Sequence, residues 1–242
     1  MANNTKKTSV IFCGHGSKDL NYQEEFQQLV NYVQKKNKDC NIFKCFIEIN
    51  NPTIKKFFLE FKELQTRKIF VFPILIFQGN HMELDIKKQI PTSKNISLCK
   101  NIDLNNKVLK TYEKNIKPII KKDKIVLVTV SSFSKNKNVL FELDKYTKKL
   151  SKRIFSYKSY SCFYGSEMDV IEKLNNLEGK ENICLVVNPI FLFTGFLYKS
   201  VKKKFENLKF KNTFFTEPLM KEPEILNILS HRVKKVINSL QH

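Results

Sequence analysis

Along this chain, short apolar runs alternate with stretches whose apolar positions recur every three to four residues. The runs near Ser9–Gly14, Ile42–Glu48, Lys68–Leu75 and Ile96–Cys99 read as strands. Between them, the segments near Tyr22–Lys36, Pro52–Leu64, Met82–Gln89 and Asn105–Ile116 read as amphipathic helices. The second half repeats the order, with strands near Ile125–Val130, Lys158–Phe163 and Asn182–Asn188. Its helices fall near Lys137–Ser151, Glu167–Leu174 and Tyr198–Phe205, and helical sequence near Glu222–Leu240 closes the chain. A strand shows one face every second residue and a helix one face every 3.6, so the change of period marks each boundary. Strands separated by helices predict parallel α/β sheets, because a parallel neighbour is reached only by a crossover.

The pattern is duplicated. Residues 10–17 (VIFCGHGS) line up with 125–132 (IVLVTVSS), and 73–79 (PILIFQG) with 189–195 (PIFLFTG). Two blocks at nearly one spacing predict two tandem, doubly wound, flavodoxin-like domains, residues 1–120 and 121–242, with a cleft between them. The lysine-rich stretch Lys117–Lys124 is the expected junction.

Composition narrows the class. Of 242 residues, 42% are hydrophobic and only six are Gly and seven Pro, enough apolar material for a core, which excludes a disordered basic tail. The longest apolar runs, around Ile69–Phe77 and Cys184–Phe193, carry Pro73 and Pro189 and fall well short of the ~18–20 residues of a membrane span. No apolar leader precedes the first strand, and the six cysteines contain no CxxC pair. The expectation is therefore a cytoplasmic protein with reduced thiols and no membrane partner.

The net charge is +20, but Arg67, Arg153 and Arg232 are the only arginines. Lysine enrichment raises the local concentration of anions, while the forked guanidinium that reads bases and phosphates is scarce. A small polycarboxylate fits at least as well as nucleic acid. Solvated lysine drift, with Asn, Ile and Phe also abundant and Trp absent, explains the same composition.

Three residues stand out at the ends of strands. His15 follows the first strand in CGHGS, His81 follows the third in FQGNH, and Glu48 ends the second inside Phe46-Ile47-Glu48-Ile49. A carboxylate rarely occupies an otherwise apolar strand without a partner or a task. Open parallel sheets bind ligands outside the carboxyl ends of their strands, so such a sheet gathers all three at one edge. Imidazoles with a carboxylate suit a divalent transition metal with open positions. Gly14 and Gly16 permit a tight turn and a close approach. Cys13 reads as a small buried hydrophobe in preference to a soft ligand, and Ser17 and Asp19 as caps of the next helix.

With these motifs in order, the chain resembles the CbiX-type sirohydrochlorin chelatases in their long, internally duplicated form. CGHGSKDLNYQEEFQQLV is similar to that family's opening turn, and FIEINNPTIKKFF to its glutamate-then-Pro-Ser/Thr segment. VFPILIFQGNHMELDIKKQI, completed by Pro91, and VVNPIFLFTGFLYKSV resemble its later blocks in the two halves. The resemblance implies a chelatase that inserts Co2+ or Fe2+ into sirohydrochlorin, with no permanently bound cofactor and the metal as substrate. It implies metal-handling histidines at His15 and His81, Glu48 as their acidic catalytic neighbour, and Gly14, Gly16, Ser17, Gly79, Asn80 and Gly195 as ligand-facing positions. Lys18, Leu20 and Asn80 depart from the usual arginine, proline and glycine. In the second half Val130 aligns with His15, Tyr164 with Glu48 and Leu197 with His81, so one metal site per chain is expected. A non-catalytic tetrapyrrole or metal carrier of the same fold is the competing reading, and monomer and homodimer are both compatible with the duplication.

Overall fold

The computed structural model describes residues 8–62, 68–77, 80–120 and 124–239, with residues 80–84 described by their backbone alone. The elements run β1 (Thr8–Gly14), α1 (Leu20–Lys36), β2 (Cys40–Phe46), α2 (Ile54–Glu60), β3 (Lys68–Pro73), α3 (Asn80–Gln89), β4 (Ile96–Leu98) and α4 (Asn106–Ile120). The second repeat runs β5 (Lys124–Ser131), α5 (Lys137–Ile154), β6 (Lys158–Phe163), α6 (Met168–Asn175), β7 (Ile183–Ile190), α7 (Phe196–Glu206), β8 (Asn212–Phe215) and α8 (Pro223–Asn238). They form two parallel four-stranded sheets of like order, β2-β1-β3-β4 and β6-β5-β7-β8.

The central strands are apolar because helices cover both faces of the sheet. Every residue of β1 is buried, as is every residue of β7. Asn188 inside β7 is fully buried, and it is satisfied: its Nδ2 donates to the Tyr146 hydroxyl at 3.3 Å, and its Oδ1 accepts from Thr216 Oγ1 at 3.1 Å. Helix α1 buries Phe26, Leu29, Val30 and Val33, a stripe at helical spacing, each worth about 1.5–3 kcal/mol on burial. Asp19 caps that helix, its side chain accepting from Asn21 N, and Lys35 and Lys36 complement the partial negative charge at its last turn.

Two local readings change. Helix α2 begins at Ile54 with Thr53 as its cap, not at Pro52, because the Pro52 carbonyl is still held in extended chain by Phe46 N at 3.0 Å. Strand β8 adds an edge that the pattern does not announce: four residues, half of them polar, after a lysine-rich run.

The compact units do not coincide with residues 1–120 and 121–242. One holds the described residues up to Asp103 together with those from Pro223 onward, and the other holds Leu104–Glu222. Helix α4 ends the first repeat in sequence but belongs to the second unit, where the Tyr112 hydroxyl donates to the Glu217 carbonyl at 3.1 Å and Arg153 pairs with Glu113 at 2.8 Å. Helix α8 ends the chain but completes the first unit. There the Tyr32 hydroxyl donates to Asn227 Oδ1 at 2.6 Å, and the Arg232 guanidinium donates to the carbonyls of Lys100 and Asn101. Of the expected junction, residues 121–123 lie outside the described residues, and Lys117 is still inside α4.

Candidate active site

Gly14 ends β1, and the chain leaves through His15, Gly16 and Ser17; β2 ends at Phe46 and continues as Ile47-Glu48-Ile49-Asn50. These two exits are stitched together. Ile47 N donates to the Gly14 carbonyl at 2.9 Å, and Glu48 N to the His15 carbonyl at 3.1 Å. Ser17 N donates to Asn50 Oδ1 at 2.6 Å. Gly16 has φ 103, and a Cβ there would lie 2.0 Å from the Glu48 carbonyl oxygen, so both the conformation and the space require glycine. A Cβ on Gly14 would meet Phe26 at 2.5 Å and the Tyr22 hydroxyl at 2.7 Å. That hydroxyl accepts from Gly16 N at 3.2 Å, and burial pushes the Tyr22 pKa up to about 12, so the phenol keeps its proton.

The result of this bracing is one side-chain pair. His15 Nδ1 lies 3.4 Å from Glu48 Oε1, with 39% and 58% of the two side chains exposed. A carboxylate beside Nδ1 favours the tautomer that carries its proton there, leaving the Nε2 lone pair for an incoming ion. Among the described residues Nε2 has no hydrogen-bond partner, and no group of three or more His, Cys, Asp and Glu is arranged to hold a metal. The pair therefore presents one outward donor, Nε2, backed by the carboxylate at Nδ1, an open edge instead of a closed cage.

The turn beyond Glu48 is unusual. Ile49 has φ 69, and Asn50 N donates to the Glu48 carbonyl at 2.7 Å across it. This tight turn at positive φ costs a β-branched residue roughly 1–3 kcal/mol, and it leaves Ile49 exposed beside the carboxylate. Neither Ile49 nor the Asn50 bond is announced by sequence pattern beyond the turn signal of Asn50-Asn51-Pro52.

The other sequence candidates distribute as follows. The backbone puts Asn80 and His81 in the first turn of α3, after the carboxyl end of β3 and so at the same sheet edge as His15. Their side chains, and Gly79 altogether, lie outside the described residues. Gly195 is the cap residue of α7 in the second unit. Ser17 Oγ accepts from Asp19 N at 3.1 Å, a local turn role beside the Asp19 cap. Cys13 is fully buried opposite Cys45, whose thiol contact together with burial raises the Cys13 pKa well above the usual thiol value. A protonated, enclosed thiol is no metal ligand.

Strand register revises the alignment of the two halves. Cys13 pairs with Pro73 in β3 and Val130 with Pro189 in β7, so Val130 corresponds to Cys13, and Ser132, not Val130, to His15. Phe46 faces Gly14 as Phe163 faces Ser131, which puts Gly165 instead of Tyr164 at the place of Glu48. Helix starts match Leu197 with His81 as read from sequence. On β5 the shift is two residues, and such a slip along an unpunctuated apolar strand keeps every side chain on its face; past β6 it is one residue, where the chain has already left the strand. Ser132, Gly165 and Leu197 are no better suited to a metal than the residues first aligned.

Comparison with known proteins identifies the family of the chain. The sequence profile of the CbiX family matches residues 9–119 and again 127–236. The sirohydrochlorin ferrochelatase of Bacillus subtilis (strain 168) is 22% identical over 239 residues, covering 95% of this chain and 92% of that one. The sirohydrochlorin cobaltochelatase of Methanosarcina barkeri is 26% identical over 105 residues, covering 43% of this chain and 79% of its own. In fold, the chain superimposes on SirB from Bacillus subtilis with Fe3+ at a TM-score of 0.76 and 21% identity, covering 95% of each chain. SirB from Bacillus subtilis subspecies spizizenii in complex with cobalt gives a TM-score of 0.75 at 22% identity, covering 95% and 94%. Two consecutive matches spanning nearly the whole sequence, on two sheets of identical order, mean that the chain belongs to the CbiX family and carries its unit twice.

Proposed function

We propose that the protein is a sirohydrochlorin chelatase that inserts a divalent ion, Co2+ or Fe2+, into the metal-free tetrapyrrole, with one catalytic centre per chain, in the first repeat. The observation that carries this reading is the His15–Glu48 pair, 3.4 Å apart on two strand exits that are hydrogen-bonded to each other. Insertion exchanges two pyrrolic N–H protons for one M2+, so the site must deliver the ion and take up two protons. His15 Nε2 offers a neutral donor to the ion, with His81 as the second imidazole from the α3 side. The metal draws electron density from the nitrogens it approaches and so favours loss of their protons. Glu48, half in water and against His15, accepts protons and passes them to solvent. Gly14 and Gly16 let the strand exits pack closely and so set the place of His15 and Glu48, and with Ser17 they are assigned to the ligand-facing edge. Gly79, Asn80 and Gly195 are assigned the same ligand-facing role.

The names of the relatives include both iron and cobalt, and an imidazole–carboxylate set accepts either ion, so availability selects between them. The metal is substrate and no resident cofactor is required. The carboxylates of sirohydrochlorin meet a chain of net charge +20, which raises substrate concentration near the edge. No helix among the described residues is long and apolar enough to cross a membrane, and none of the six cysteines forms a disulfide. The enzyme is assigned to the cytoplasm, as monomer or homodimer, with sirohydrochlorin and the metal ion as its partners and no specific nucleic acid. The test is an anaerobic absorbance assay with sirohydrochlorin and Co2+ or Fe2+ separately. Insertion well above the spontaneous rate with at least one ion is expected. Tight binding of the macrocycle without acceleration would make the protein a carrier instead.

A further inference from the structure

Of the bonds that stitch the β1 and β2 exits, those from Ile47 N and Glu48 N run between backbone atoms and do not depend on side-chain identity. The third depends on one side chain, that of Asn50, whose Oδ1 accepts from Ser17 N at 2.6 Å across 33 positions of sequence. Both ends of this bond are braced. On the β1 side, Ser17 Oγ accepts from Asp19 N at 3.1 Å and the Ser17 carbonyl from Gln23 Nε2 at 3.2 Å, which ties the turn to the start of α1. On the β2 side, Asn50 N donates to the Glu48 carbonyl at 2.7 Å and closes the turn that holds Ile49 at φ 69. A strained conformation persists only where its surroundings over-determine it, and Asn50 supplies two bonds of that constraint, one from its backbone and one from its side chain. Glu48 immediately precedes Ile49, so its carboxylate is aimed from a segment fixed at its own N–H and again two residues on.

The second repeat supplies the contrast. With Gly165 at the place of Glu48, Glu167 stands at the place of Asn50, and Ser134 at that of Ser17. Glu167 turns its carboxylate to its own loop and to α7: Oε2 accepts from Gly165 N and from Lys204 Nζ, each at 2.9 Å. Gly165 N, whose counterpart Glu48 N bonds the His15 carbonyl, is thereby taken up inside the β6 exit. Among the described residues no hydrogen bond joins Ser134 to Glu167. The clasp is present in the repeat that carries a histidine and a carboxylate, and missing from the repeat that carries neither at those places.

We propose that Asn50 is a positioning residue for metal insertion: its side-chain clasp on Ser17 N holds the Glu48 carboxylate against His15 Nδ1. The proposal rests on the chelatase reading and adds to it a residue that acts only through the His15–Glu48 pair. Without the clasp the turn at Ile49 relaxes, the carboxylate swings away from the ring, and the imidazole loses the partner that fixes its orientation.

The test compares two full-length variants, Asn50→Leu, which keeps the shape and removes the acceptor, and Asn50→Asp, which keeps the acceptor. Thermal melts confirm that each is folded, and Asn50→Ala takes the place of Asn50→Leu if the latter is not. In steady-state insertion of Co2+ into sirohydrochlorin, Asn50→Leu should lower kcat about tenfold with the macrocycle KM within about twofold, and Asn50→Asp should return kcat to within about threefold of wild type. The second readout is the tautomer of the His15 ring in metal-free protein, from its 15N shifts at about pH 8, where histidines are ordinarily neutral, with His15→Ala supplying the assignment. The proton should sit on Nδ1 in the wild type, move toward Nε2 in Asn50→Leu and return in Asn50→Asp. A wild-type kcat in folded Asn50→Leu, or a lowered kcat with the tautomer unmoved, overturns the proposal and leaves the chelatase reading standing. So does failure of Asn50→Asp to restore both readouts. A wild-type protein that does not metallate sirohydrochlorin overturns the chelatase reading and with it the role in insertion.

Discussion

The two strand exits at residues 14–17 and 131–134 are the same turn with different contents. Both leave a buried central strand, and both pair across to the neighbouring exit: Ile47 N with the Gly14 carbonyl, Tyr164 N with the Ser131 carbonyl. Ser17 and Ser134 each accept from the backbone N–H two residues on, and Asp19 and Asn136 each cap the following helix. What differs is the pair of residues between the strand end and the serine, His15-Gly16 in one repeat and Ser132-Phe133 in the other. The scaffold is therefore kept by backbone hydrogen bonds and caps, which tolerate many side chains. The chemistry is carried by a few side chains that can be lost without unfolding the unit.

The widest departure from a picture of two independent halves concerns the closing helices. A fragment of residues 1–120 lacks α8 and with it the buried Ile225, Leu229, Val233 and Ile237 of the first unit. At about 1.5–3 kcal/mol each, that loss is comparable to the whole stability of a domain. The fragment should show no cooperative melt by circular dichroism; a sharp transition would mean that the sequence repeat, not the contact unit, is the folding unit.

Next in size is the contrast at the turn itself. Gly16→Ala places a Cβ at φ 103 against the Glu48 carbonyl and should destabilise the protein by at least about 2 kcal/mol. Phe133→Gly at the matching position should change the midpoint of unfolding by no more than about 1 kcal/mol. Equal losses would show that the two turns are held in the same way. Smaller again is Glu48→Gln, which keeps shape and removes the carboxylate proposed to accept protons. Metal insertion should fall about 10- to 100-fold with unchanged unfolding, because the side chain is exposed. An unaltered rate would reduce Glu48 to a surface residue.

The α/β order was legible because buried parallel strands are nearly continuous apolar runs and their crossovers are amphipathic. His15 and Glu48 were legible for a related reason: a histidine between glycines and a carboxylate ending an apolar strand both break the local pattern. Four things were not legible. Strand β8 is too short and too polar to stand out. The register of β5 against β1 is hidden because strand alternation is blind to a slip of two residues. The exchange of α4 and α8 between units was hidden because an amphipathic stripe shows that a helix is buried but not against which sheet. Asn50 belongs with these, since its bond to Ser17 spans 33 positions and leaves no local signature.

The central claim is that one turn is catalytic and its counterpart is not. The most direct measurement compares Co2+ insertion into sirohydrochlorin by His15→Ala and by Ser132→Ala, both with wild-type melting behaviour. The account predicts that His15→Ala falls at least about 100-fold, toward the spontaneous rate, while Ser132→Ala stays within about twofold of wild type. Near-normal turnover by His15→Ala, or an equal loss in both variants, would contradict it.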